Sequence, residues 1–431
     1  MTRNGPRRAL LPRAVLAAAA AAALLCAGPP ARADVVRDAQ WHIDDLRLPA
    51  AWRLSRGAGV TIAVLDTGVD PRAESLRGKV KTGPDLVRSG AKRGDRYWGR
   101  HGTDIATIAA GTGRRPGASS AILGVAPEAR ILSIRVIAED EDPEFGEAGS
   151  IDGVARAIHY AVDHGADVIN MSFGAGGFDA EPGEPEERAA VRYALAHGVV
   201  LVASAGNEGD PKSRPRRGRN RTGFPAGYAG VIAVAAVRRD HTVAKFSSRH
   251  TYVTLAAPGV DIVGRADASF YYVGEGTSQA AAVVSGTVAL IRAGHPKLSP
   301  AQIQRLLVDT ATSRPKGGHS AAIGFGIVNP LGALRKAGTL SPEREAPAAP
   351  AYDGPRFFGP GPVRAAPVAA ARAAATSGGA RRALLGGLGL ALLVAGAWLL
   401  LAGVRAAPSA ALAPPPVQRQ ADQEPEHQRD Q

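Results

Sequence analysis

Three polar side chains stand where their types and neighbours would allow chemistry. Asp66 closes an apolar run in Val64-Leu-Asp-Thr-Gly-Val-Asp70, His101 stands in Gly99-Arg-His-Gly-Thr103, and Ser278 in Gly276-Thr-Ser-Gln-Ala280. A serine hydroxyl is a poor nucleophile until a base takes its proton. A histidine does this best when a carboxylate fixes its tautomer and stabilises the imidazolium. The glycines beside the histidine and the serine leave room for a substrate backbone. Each block also has an ordinary meaning alone: Asp-Thr-Gly is often a turn, His-Gly-Thr a helix cap, Gly-Thr-Ser a loop. Together they supply a nucleophile, a base and an orienting acid, the parts of an acyl-transfer site.

The elements that must position them can be read from the apolar pattern. Residues 60–65, 131–136, 168–171, 199–203 and 231–237 are short continuous apolar runs, the pattern of strands buried on both faces. Between them Ile151, Val154, Ala155, Ile158 and Val162 recur at helical spacing, and 187–197 and 278–293 also read as helices. Alternating strands and helices predict an α/β fold in three layers, with a mostly parallel central sheet and helices on both faces. In such sheets functional residues gather at the carboxyl ends of strands. Asp66 falls at such an end, and His101 and Ser278 fall where helices open.

The order Asp, His, Ser along the chain is that of subtilisin, and here the sequence resembles the subtilisin-like serine peptidases. Val-Leu-Asp-Thr-Gly-Val-Asp (64–70), His-Gly-Thr (101–103) and Gly-Thr-Ser (276–278) match the three signature blocks. Gly124-Val-Ala-Pro127, Asp167-Val-Ile-Asn-Met-Ser-Phe-Gly174 and Ser204-Ala-Gly-Asn-Glu-Gly209 agree as well, so the resemblance covers roughly 50–335. It implies the subtilisin-like fold and peptide-bond hydrolysis through Asp66, His101 and Ser278, with no cofactor required. It further implies that Asn207 donates to the oxyanion together with the Ser278 backbone N–H. Ser172, Phe173, Gly174, Ser204, Ala205 and Gly206 would then bind substrate. Two stretches depart from the pattern. Asp104-Ile-Ala follows the histidine block where many subtilases place a second His and a Val. Gln279-Ala-Ala-Ala282 follows the serine without the usual Met and Pro.

Both ends of the chain look like addresses rather than core. Arg3, Arg7, Arg8 and Arg13 precede an apolar run at 14–27 that is too short to span a bilayer, and Ala31-Arg-Ala33 offers a cleavage site. Residues 1–33 are therefore expected to be a signal peptide, and Cys26, the single cysteine, would leave with it. Residues 34–55 form an N-terminal arm whose Trp41, Ile43, Leu46, Leu48 and Trp52 supply apolar surface for packing. The peptidase domain is expected over 56–340, and a Pro/Ala-rich linker over 341–382. Residues 383–404 carry no charge over 22 positions and read as a transmembrane helix. A disordered cytoplasmic tail is expected over 405–431. The domain would then sit on the extracytoplasmic side of the cell membrane. This layout resembles the mycosins, the membrane-anchored subtilases of type VII secretion systems, although mycosins typically carry disulfides. The resemblance implies protein or peptide substrates and type VII machinery as partner. A structural component of such a membrane complex, with proteolysis secondary, is the alternative.

Composition limits the remaining choices. The chain has 431 residues, is 45% apolar and carries a formal charge of +13. Arginines outnumber lysines 44 to 8, a bias that weakens any functional reading of the basic balance. The basic stretch Lys212, Arg214, Arg216, Arg217, Arg219 and Arg221 has no interleaved aromatics, so no nucleic-acid partner is expected. Two acidic clusters, 139–147 and 179–187, read as solvated loops bordering the cleft that would favour basic residues upstream of the cut. Structural calcium is compatible with these loops, but no ligand spacing assigns residues to it, and no other metal site is expected.

Overall fold

The computed structural model describes residues 35–87, 91–114, 121–139, 151–174, 185–213, 220–265, 271–342 and 418–419. The chain divides into two compact units, 361–416 and the remainder, and every described residue lies in the latter. The signal segment, almost all of the linker and the apolar segment 383–404 lie outside the described residues. Among the described residues no helix is long and apolar enough to cross a membrane.

The arm forms three short helices, α1 (Val35–Ala39), α2 (His42–Asp45) and α3 (Leu48–Ala51). The core then runs β1 (Thr61–Asp66), β2 (Val80–Asp85), α4 (Arg100–Ala110), β3 (Arg130–Arg135), α5 (Ile151–Asp163), β4 (Val168–Met171), α6 (Pro185–Ala196), β5 (Val200–Ser204), β6 (Ile232–Val237) and β7 (Val253–Pro258). It continues with β8 (Ile262–Arg265), β9 (Tyr271–Gly274), α7 (Thr277–Gly294), α8 (Pro300–Thr310) and α9 (Pro330–Ala337). Seven strands make one sheet in the order β2-β3-β1-β4-β5-β6-β7, with every pair parallel. β8 and β9 form an antiparallel pair beside it.

Side chains alternate across a strand, so each strand feeds two cores. Ile62 and Val64 of β1 join Val168, Val200, Val202, Ile232 and Val234 in the core under α4, α7, α8 and α9. Ala63 and Leu65 join Ile169, Leu201, Ala203 and Ala233 in the core under α5 and α6. The three layers follow directly, and so do the uninterrupted apolar runs, because the strands from β3 to β7 in the sheet order are covered on both faces. Every residue of α7 from Gln279 to Arg292 is buried, which explains why this helix is apolar all round.

The arm packs as its apolar residues predict. Trp41, Ile43, Leu46 and Leu48 are buried, and the Trp41 Nε1–H donates to the carbonyls of Val260 and Asp261, each at 3.1 Å. Sequence patterning misses β2, whose Val-Lys-Thr-Gly-Pro-Asp is half-exposed at the sheet edge, where Pro and Gly are tolerated. Gln418–Arg419 pairs parallel with Tyr272–Val273, because an edge strand presents unpaired backbone groups to any extended segment.

Candidate active site

Asp66 ends β1, the strand held between β3 and β4, and it is fully buried. Its Oδ1 accepts the Thr67 N–H at 2.7 Å and the His101 Nδ1–H at 2.8 Å. A carboxylate can only accept, so this bond places the remaining imidazole lone pair on Nε2. His101 lies in the first turn of α4, and its side chain is one-third exposed. The neighbouring glycine is needed for a reason the sequence does not reveal. A Cβ on Gly102 would sit 2.0 Å from the Gly68 carbonyl oxygen, so the close approach is between two segments of this chain.

Ser278 stands in the first turn of α7, where helix N–H groups have no acceptor within the helix. Its Oγ–H donates to the Ser172 carbonyl at 3.1 Å, and the Ser172 hydroxyl donates back to the Ser278 carbonyl at 3.1 Å. Behind this pair the Asn170 amide donates to Ser172 Oγ at 2.8 Å, and Ser285 Oγ donates to Asn170 at 2.9 Å. The start of α7 is thereby held against the end of β4.

Asn207 is oriented by Thr277, whose N–H and hydroxyl both donate to its Oδ1, at 3.0 and 2.9 Å. With the carbonyl end fixed, the amide nitrogen turns toward Gly276. A Cβ there would lie 3.6 Å from Asn207 Nδ2 and 3.7 Å from the Ser278 backbone nitrogen. The Asn207 amide nitrogen and the Ser278 backbone nitrogen are therefore both near Gly276, at the start of α7. Among the residues expected to bind substrate, the Ser204 hydroxyl donates to the Phe173 carbonyl at 3.3 Å and Gly206 N–H donates to Thr277 Oγ1 at 3.2 Å. Ala205 is buried, bonded through its N–H to Val234, and Gly174 is exposed. All of them lie at or just beyond the carboxyl ends of β4 and β5.

Acidic groups crowd His101. Glu139, read from sequence as a solvated cleft charge, is instead buried and accepts the His101 backbone N–H at 3.0 Å. It satisfies one of the orphan donors of α4, whose N-cap Gly99 has no side chain to do so. Glu187 of the second cluster is also buried, accepting from Tyr228 OH at 3.1 Å. Residues 140–147 and 179–184 lie outside the described residues. Burial disfavours the charged imidazole, but Asp66, Glu139 and Asp104 outweigh it and raise the His101 pKa well above the usual value. Thr277, Glu139 and Asn170 escaped sequence reasoning because their roles rest on contacts far along the chain. Among the described residues no group of three or more His, Cys, Asp or Glu side chains is placed to hold a metal ion.

The profile of the Subtilase family of peptidases matches residues 57–326, a span that contains every site residue above. The chain belongs to the subtilase family. It is a serine endopeptidase of subtilisin type with a mycosin-like build. Mycosin-1 of Mycobacterium tuberculosis is 35% identical over 355 residues, 72% of this chain and 76% of the relative. Subtilisin DY of Bacillus licheniformis is 34% identical over 274 residues, 64% of this chain and 90% of that one. A solved serine protease, MycP1, described as an essential component of the type VII (ESX-1) secretion system, superposes with a TM-score of 0.57 at 34% identity. That match covers 68% of this subtilase and 88% of that chain.

Proposed function

We propose that this subtilase hydrolyses peptide bonds through Asp66, His101 and Ser278, with Asn207 and the Ser278 N–H receiving the oxyanion. The 2.8 Å bond from His101 Nδ1 to the buried Asp66 carboxylate is the observation that carries this reading. Asp66 holds the tautomer. His101 Nε2 takes the Ser278 proton as Oγ attacks the substrate carbonyl, and the oxyanion settles between the two N–H donors. His101 then protonates the leaving amine, and water, deprotonated by the same imidazole, releases the acyl group from Ser278. In the resting site the Ser278 hydroxyl donates to Ser172, so it must turn toward His101 before attack. A fluorophosphonate probe tests the assembly: labelling that Ser278→Ala abolishes supports it, and absence of labelling in the folded protein rejects it.

The same proposal has the domain exported by 1–33, held at the cell membrane by 383–404 and working beside type VII machinery. The uncharged 22-residue segment and the likeness to MycP1 support this part. A crossing at 383–404 would carry 418–419 to the opposite side from β9, so in the anchored protein this two-residue pair with Tyr272–Val273 is open. Carbonate-resistant membrane association that disappears on deleting 383–404 supports the anchor; equal extraction of both forms rejects it. Secretion that survives Ser278→Ala but not deletion of the gene would favour the structural role over the enzymatic one.

A further inference from the structure

Asp104 occupies the position one turn after His101 where the sequence departs from the usual subtilase pattern, and nothing in the mechanism above uses it. Its side chain is buried in α4. Oδ2 accepts from Gln279 Nε2 at 3.2 Å, and Oδ1 is buried without a hydrogen-bond partner. Gln279 directly follows Ser278 and is itself buried. One hydrogen bond therefore joins the residue three past the base to the residue one past the nucleophile. Space for the carboxyl is made from the other side: a Cβ on Gly264 of β8 would fall 1.7 Å from Asp104 Oδ1. The departure at 104, the departure at 279 and the glycine at 264 form one fitted set.

We propose that Asp104 is a positioning residue that ties the histidine-bearing helix to the serine-bearing helix through Gln279 and sets, by its charge, the pH at which His101 becomes a base. This rests on the catalytic reading of His101 and Ser278. The groups facing Asp104 are His101 on its own helix, Asp66 from β1, Gln279 from α7 and the Arg265 backbone N–H from β8. The Arg265 guanidinium is turned to Glu74 at 3.3 Å, and Glu139 approaches His101 from beyond β3. Burial lifts Asp104 to about 7, against the opposing pull of His101 and Gln279. The two groups favour each other's charged forms: an Asp104 carboxylate holds a proton on His101, and the imidazolium pulls against the burial that disfavours the carboxylate.

The test uses the full chain and the pH profile of fluorophosphonate labelling, which needs no knowledge of substrate. Asp104→Asn keeps shape and a hydrogen-bond partner for Gln279 but removes the charge; the acid limb should move down by about one pH unit. Asp104→Leu and Gln279→Met cut the link between the helices, and their plateau labelling rates should fall about tenfold or more while Asp104→Asn keeps most of its rate. A residue serving stability alone would lower Tm in all three variants and leave the limb in place. An unmoved limb in Asp104→Asn, or an undiminished plateau in Gln279→Met, overturns the proposal. If the wild-type chain is not labelled at any pH, the catalytic reading fails separately. The His101 titration in ¹³C-histidine NMR spectra, assigned with His101→Gln, then gives the same comparison: a pKa lowered by Asp104→Asn supports the charge effect and an unchanged one rejects it.

Discussion

At the scale of single residues, the site depends on which atoms are left facing the substrate. Thr277 saturates Asn207 Oδ1 and so directs the amide. Asn207→Ala should therefore lower kcat by about 10²- to 10³-fold with KM little changed, measured on any cleaved peptide. The crowd of carboxylates makes a second prediction. A general base must be neutral, and the raised His101 pKa keeps the imidazole protonated to higher pH than usual. Activity should thus rise as pH rises through that value, with kcat/KM still climbing above pH 7. Glu139→Gln should move the rise toward lower pH; a kcat/KM profile that is flat from pH 6 upward would contradict this. Glu139 also shows where sequence reading ends. Its neighbours in sequence are acidic, and only the fold discloses that it faces a helix terminus rather than water.

At the scale of elements, the arm is a fixed part of the domain. His42 in α2 is fully buried, and neither ring nitrogen has a hydrogen-bond partner. Burial first, then the charge of Arg37, lowers its pKa to about 4. The unfolded chain binds this proton below about 6.5 while the folded chain refuses it until about 4. Stability is thus whole above 6.5, falls as pH drops through that window, and is lower by roughly 3 kcal/mol below it. Thermal melts between pH 7 and 4 should show this decline, and His42→Leu should flatten it. Separately, Trp41→Ala should cost about 3–5 kcal/mol by removing a buried ring that also anchors the arm to Val260 and Asp261. The arm's burial could be anticipated from its five apolar residues. Its docking site could not, because no local pattern points from position 41 to position 260.

For the whole molecule, the parallel sheet and its two layers of helices were legible because strands covered on both faces read as plain apolar runs. β1, β3, β4, β5 and β6 each fall within a residue or so of the expected spans. β7 escapes because Val-Thr-Leu-Ala-Ala-Pro mixes polar and apolar residues, and its Thr254 hydroxyl accepts a hydrogen bond from the Ala233 N–H at 3.2 Å. Asp66, His101, Ser278 and Asn207 were marked by short motifs, whereas the residues that hold them depend on contacts made across the sheet. The described core closes at Ser341, whose carbonyl accepts from Gln302 at 2.9 Å. A chain ending at residue 342 should therefore keep its Tm within a few degrees and its probe labelling; loss of either would show that later residues complete the domain.

The tie between Trp41 and Val260 spans 219 positions, and this has a consequence for the order of folding. The arm leaves the ribosome before any strand of the sheet, but its acceptors are not made until the seventh strand of the sheet has been synthesised. Parallel pairings that join distant segments already make such a topology slow to form. The arm must wait, undocked, through the assembly of the structure it will finally close, so a segment translated ahead of the whole sheet is among the last to reach its native place.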